Sequence, residues 1–270
     1  NNENNENNEI YKYLLNLPKL AISYNNDLDT LYHILIKNNF NINYIKYLYD
    51  YNTNINLLNN YLNTPLHISI YKKKYDIANF LIIKDCKLNI KNKKGEYPID
   101  ILLRDIEYNI ELLNIFKDYI TTRTIFKYLD DKSNNYSIEV FYFLIKNCKN
   151  RYKKDKFGNN ILLKLSDTYI KNSFHKIKLY DILYKFKFNF NTLNNDNENC
   201  LILNLKSNYN IYIVRYLLNK KVSVLIRDIK KNNSLMYVKD KKMFNIIYPL
   251  SLKKNNNLKQ HLLLRLFYIN

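Results

Sequence analysis

Glycine, proline and tryptophan are nearly missing from this 270-residue chain, which contains 2, 4 and 0 of them. Two glycines cannot build the Gly-rich loops that cradle phosphates, and neither a Walker nor a dinucleotide fingerprint occurs. Cysteine is scarce as well. Cys86, Cys148 and Cys200 lie too far apart for a CxxC metal or redox pair, and their odd number argues against a disulfide framework. That usage fits a reducing compartment, so the expected location is intracellular, cytoplasmic or nuclear. No apolar run approaches the roughly 18–20 residues that a membrane-spanning helix needs. The first residues, Asn1–Glu9, are a polar low-complexity tail without the charged start and apolar core of a secretory signal. The chain does not begin with Met, so a fragment is expected, from which a targeting segment can be missing.

Acidic residues are short too. The 43 Lys and Arg outnumber the 24 Asp and Glu, for a formal charge of +19. Such an excess favours an acidic partner: RNA, DNA, an anionic membrane or an acidic protein patch. Asn, Lys, Ile and Tyr, the most heavily used residues, all have A/T-rich codons, so genome composition explains the same charge without selection for a polyanion. Both explanations stand at the level of sequence. With 47% hydrophobic residues, the chain has enough apolar surface for a substantial core.

What the chain does have is a period of about 34 residues. Its clearest copy is Asn63-Thr64-Pro65-Leu66-His67. Echoes lie one step away on either side, at Thr30-Leu31-Tyr32-His33 and Tyr97-Pro98-Ile99-Asp100. Weaker copies start at Thr124, Asn160, Asn199 and Asn233. Within the clearest unit, Thr64 can cap a helix, and Pro65 is tolerated in its first turn because the missing N–H has no partner there. Leu66 and Ile70 fall on one helical face. A polar turn over Tyr71–Asp76 leads to a second helix over Ile77–Lys84, then to a loop ending at Lys94-Gly95-Glu96. The third position of each first helix is apolar: Tyr32, Leu66, Ile99, Phe126, Leu162, Leu201 and Leu235. Both glycines, Gly95 and Gly158, stand two residues before a motif start, where a tight turn wants positive φ. One such unit cannot bury its apolar face alone, so the units must stack.

These residues resemble ankyrin repeats along most of the chain. The resemblance carries the Thr-Pro-Leu-His helix start and the post-helix loop, here Asp85-Cys86-Lys87-Leu88-Asn89, with versions at Lys187–Asn191 and Lys221–Leu225. It implies an all-α solenoid of stacked helix-turn-helix units with hairpin loops. The expected organisation is a polar tail and cap helix over 1–26, the array over 27–250 and a capping helix over 251–270. The departures carry their own expectations. Where the family has glycine after the second helix, this chain has Tyr51, Asp85, Cys148, Lys187 and Lys221, which predicts strained or altered turns. The short step from Tyr97 to Thr124 leaves no room for a hairpin. The long one containing Ser166–Lys178 predicts an extended loop between two helices.

Candidate chemistry has scaffold explanations. His33 and His67 share the fourth motif position, where the resemblance implies a hydrogen bond that holds loops together. His175 is expected in the variable loop and His261 in the terminal helix, neither with metal-ligand spacing. The cysteines occupy positions that want a small hydrophobe. We therefore expect no catalytic residues, no metal and no cofactor. The expected function is non-catalytic binding of a protein partner, by a monomer, on the concave face of the array. The candidate contacts are Tyr61, Tyr71, Lys72, Lys93, Lys94, Lys154, Lys156, Phe157, Lys230 and Lys231, which combine lysines at hairpin tips with interleaved aromatic rings. An acidic protein surface fits them. The alternative is a basic module for RNA or DNA.

Overall fold

The computed structural model describes residues 26–50, 53–104, 110–131, 136–207 and 210–252. The expectations for the N-terminal tail, Tyr51, His261 and most of the C-terminal cap lie outside these residues. The chain divides into two compact units, residues 1–119 and 120–270. Among the described residues both are helical, no strand occurs, and no helix is long and apolar enough to cross a membrane.

The first unit runs α1 (Leu31–Lys37), α2 (Ile42–Asp50), α3 (Pro65–Tyr71), α4 (Tyr75–Ile83), α5 (Pro98–Leu102) and α6 (Ile110–Ile115), then a 3-10 turn over Lys117–Tyr119. The first helices α1, α3 and α5 pack side by side, and α2 packs on α4 behind them. Because α3 has a neighbour on either side and α4 at its back, every residue from Pro65 to Ile70 is buried. Its start follows the sequence logic: Thr64 Oγ1 accepts the His67 N–H, and Pro65 opens the first turn. In α4 only the face bearing Ile77, Ala78 and Leu81 is buried. That helix starts two residues earlier than expected, so the turn before it is shorter. Burying a Leu or Ile of this kind contributes about 1.5–3 kcal/mol, and the stack multiplies that gain.

The second unit runs α7 (Thr122–Asp130), α8 (Ile138–Asn147), α9 (Ile161–Asp167), α10 (Ser173–Lys185), α11 (Cys200–Ser207) and α12 (Ile211–Asn219). A 3-10 turn over Ser234–Tyr237 and α13 (Lys241–Leu252) complete it. Here α9 packs between α7 and α11, and α10 between α8 and α12. Two expectations need correction. The cap of α7 is Thr121, whose hydroxyl accepts the Thr124 N–H; Thr124 is the third helical residue, and the third-position Phe126 gives way to Arg123. A Thr at either position reads as a cap in sequence, and only the burial of Ile125, Tyr128 and Leu129 selects the register. The residues of the long step do not form a long loop either. They lengthen α10 to 13 residues, so His175 lies on a helix.

Hairpin tips follow one rule in both units. Asn59, Asn92, Asp155, Asn194 and Asp228 each use a side-chain oxygen to accept two backbone N–H groups, two and four residues on. This is the turn chemistry that makes Asn and Asp useful in loops. Three residues after each stands a left-handed residue: Leu62, Gly95, Gly158, Asn197 and Lys231, with φ between 54° and 78°. Glycine fills two of these places and residues with a Cβ fill three. The strained turns expected after second helices also appear, since Asp85, Lys187 and Lys221 keep the left-handed backbone that glycine adopts there, with φ of 56°, 59° and 59°. Cys148 is the exception, with φ of −74°.

Candidate partner-binding site

Two buried histidines position the tips of the first unit. His33 Nδ1 accepts the Thr30 N–H at 3.2 Å, which places the ring proton on Nε2, and that atom donates to the Asn63 carbonyl at 2.9 Å. His67 repeats the arrangement one unit on, from Thr64 to the Glu96 carbonyl at 3.2 Å. Each imidazole thus ties the start of one first helix to the next hairpin, as the resemblance implies. Burial pushes His67 down to about 4 despite that hydrogen bond, so the ring is neutral at pH 7. At the third motif Asp100 replaces His; its carboxylate accepts the Tyr97 N–H at 3.0 Å.

Neighbouring tips are also joined directly. Asn60 N–H donates to the Asp27 carbonyl and Lys93 N–H to the Tyr61 carbonyl, each at 2.8 Å. In the second unit Asn195 N–H donates to Phe157 and Ile229 N–H to Asp196, each at 3.0 Å. The tips therefore line up within each unit.

Between the tips and the first helices of the first unit lies a groove of about 480 Å³. Five of the ten expected residues line it: Tyr61, Tyr71, Lys72, Lys93 and Lys94. His67, Ile68 and Ile101 contribute to the same lining, with Asn59, Asn63 and Asn92. Tyr61 and Tyr71 are 54% and 68% exposed, large values for rings that end a buried helix and a closed turn. Two further cations at the groove are already matched. Lys37 pairs with Asp29 at 2.5 Å, and Arg104 pairs with Glu96. Lys72, Lys93 and Lys94 have no ion pair among the described residues.

The other five expected residues, Lys154, Lys156, Phe157, Lys230 and Lys231, belong to the second unit and all are exposed. Lys154 Nζ donates to the Leu193 carbonyl at 2.8 Å, and Lys156 lies over the Phe157 ring at 4.9 Å. The second unit's counterpart of the groove cations is engaged. Lys206 pairs with Glu198, approaches Asp228 at 3.6 Å and lies 4.5 Å from the Tyr237 ring centroid. Burial opposes its charge, but hydrogen bonds to Glu198 and Tyr237 outweigh it and hold the ammonium above its ordinary range.

Sequence reasoning missed two features. One is the acid-base pair that recurs across three of the six first helices, α1, α5 and α11: Asp29 with Lys37, Glu96 with Arg104, Glu198 with Lys206. Its signal was available, an acid just before the cap and a base one turn past the middle of the helix. The other is Lys176, fully buried in α10, whose Nζ donates to the Ser166 and Thr168 carbonyls at the end of α9. Burial pushes it down to about 7. A lysine on a long helix carries no sequence mark of such a role. The cysteines are all buried, and burial pushes the Cys86 thiol up to about 12, Cys148 and Cys200 moving the same way. Protonated thiols of this kind are packing groups rather than nucleophiles.

Comparison with known proteins agrees with this geometry. Residues 2–92 match the sequence model described as ankyrin repeats (3 copies). The fold is similar to the ankyrin repeat domain of Bcl-3, a unique member of the IkappaB protein family, with TM-score 0.64 at 15% identity over 82% of this chain and 98% of that one. It is also similar to the human ASB11 ankyrin repeat domain, with TM-score 0.62 at 13% identity over 84% of this chain and 99% of that one. No curated protein matches the sequence.

Proposed function

From the premise that the chain carries ankyrin repeats, a general protein–protein interaction module, we propose that it holds a protein partner on the face where its first helices meet its hairpin tips. One observation carries this reading: exposed Tyr61 and Tyr71 share a groove with Lys72, Lys93 and Lys94, and the turns that bear Tyr61, Lys93 and Lys94 are closed by Asn59 and Asn92. Aromatic rings standing out from a rigid frame lose little freedom on binding and dominate the energetics of protein interfaces. In the surrounding scaffold the histidines and cysteines serve packing and loop closure, in keeping with a family that is generally non-catalytic.

The second reading, a nucleic-acid module, is favoured by the exposed lysines at or beside three of the hairpin tips, Lys93 and Lys94 in the first unit and Lys154, Lys156, Lys230 and Lys231 in the second. Its affinity would fall steeply with salt as counterions are released. A pull-down from source-cell lysate with and without nuclease separates the two. A discrete protein retained after nuclease, and lost in a Tyr61→Ala/Tyr71→Ala variant, is the expected result. Loss of every partner on nuclease treatment would overturn the proposal in favour of the polyanion.

A further inference from the structure

The charge balance of the groove is specific enough to name the kind of segment it takes, granted the protein-binding reading above. Two of its five cations are already satisfied, Lys37 by Asp29 and Arg104 by Glu96. Three are not, and Lys72, Lys93 and Lys94 all line the same groove. Lys72 ends α3 while Lys93 and Lys94 occupy the next tip, so they reach it from two directions. Tyr61 and Tyr71 add apolar surface between them.

We infer that this groove binds a short acidic segment of a partner protein, with carboxylates on Lys72, Lys93 and Lys94 and one apolar side chain set against Tyr61 and Tyr71. Two observations favour a peptide over a nucleic acid. A volume of about 480 Å³ suits a few side chains, within the ~300–1,000 Å³ typical of compact sites. Nucleic-acid affinity grows with the number of phosphates neutralised along a track, and this groove offers three clustered lysines. The frame is already organised: the Lys93 N–H to Tyr61 carbonyl bond and the two Asn-closed turns set the loops before any ligand arrives. Binding then costs little ordering.

The test is selection of a displayed library of short random peptides on the full chain, followed by fluorescence-anisotropy titration of the enriched peptides. The expected peptides carry several Asp or Glu around one aromatic or aliphatic residue. They should bind a Lys72→Glu/Lys93→Glu/Lys94→Glu variant at least tenfold more weakly. A Lys171→Glu/Lys178→Glu variant, with the same kind of charge change on exposed lysines of the second unit, should bind them as the parent does. Circular dichroism confirms that the triple variant is folded, which its exposed positions favour. Enrichment of non-acidic peptides, or equal binding by the triple variant, would overturn the acidic-segment inference and leave the protein-binding reading intact. Failure to enrich any peptide, together with tight and steeply salt-dependent binding of an oligo-dT probe, would overturn both.

Discussion

The two units solve the same stacking problem with different side chains. In the first, buried His33 and His67 run from each helix start to the next hairpin carbonyl. In the second, the fourth motif position holds Thr124, Leu163, Ile202 and Met236 rather than histidine, and other polar groups do the joining. Asn195 Nδ2 donates to the Lys156 carbonyl at 3.1 Å, Asn199 Nδ2 to Ser223 at 2.8 Å, and buried Lys176 closes the end of α9. One pairing is shared: Arg104 is taken up by Glu96 in the first unit as Lys206 is by Glu198 in the second, and Lys72, Lys93 and Lys94 of the first unit's groove lie outside such pairs. Backbone geometry is therefore the shared element, and the chemistry hung on it is free to differ. Where a polar group is consumed in holding repeats together, it is not available to a partner.

The largest expected effect tests whether the cores are equivalent beneath these differences. Leu66→Ala and Leu162→Ala, at positions 1% and 0% exposed, should each cost about 2–5 kcal/mol in urea unfolding, as buried leucine truncations do. A change below about 0.5 kcal/mol at Leu66 would show that its place in the repeat is wrong.

Acid should weaken the first unit through its histidine link. His67 is pushed down to about 4 from an ordinary 6.5, so between those values the unfolded chain binds the extra proton. Its contribution is complete above pH 6.5 and drains away as the pH falls to 4, by about 3 kcal/mol. His67→Gln should flatten that part of the pH dependence in urea midpoints. The second unit should respond at the other end of the scale. Lys176 sits near 7 against an ordinary 10.5, so the fold prefers its neutral amine. Stability should rise between pH 7 and 9, and Lys176→Met should remove the rise.

The two glycines sharpen the contrast further. Both have positive φ, so alanine costs about 1–2 kcal/mol at either for the backbone alone. At Gly95 a new Cβ meets nothing within 4 Å, but at Gly158 it would lie 2.7 Å from the Asn195 backbone nitrogen. Thermal melts should therefore show Gly158→Ala as the more damaging by a further 1 kcal/mol or more, roughly the cost of overpacking. The smallest effect is expected at the groove. Lys93→Ala and Lys94→Ala should change stability by no more than about 0.5 kcal/mol, and a larger loss would mean that these lysines serve the fold.

Much of this was legible in advance because the repeat writes its constraints locally. A cap followed by Pro, an apolar third position and a turn residue before the next start are each set by a few neighbouring residues, as at Thr64, Pro65, Leu66 and Gly95. Half of the candidate residues were brought into one groove for the same reason, since tips that align carry their side chains with them. Where local signals were ambiguous, expectation failed. Thr121 and Thr124 are equally good caps, and packing chose between them. The extra residues before Lys178 could have looped out, and burial of Leu179, Tyr180 and Leu183 drew them into a longer helix.

By itself the sequence determined that the chain is a helical repeat array, because period, caps and turn residues act over short distances and need no knowledge of the rest of the fold. Tertiary structure decided which polar groups remain available. Lys72, Lys93 and Lys94 read in sequence like Lys176 and Lys206, and only packing buries the one, pairs the other and leaves three in a groove. The physical reason is that charge is a property of a residue, whereas solvation and pairing belong to its surroundings.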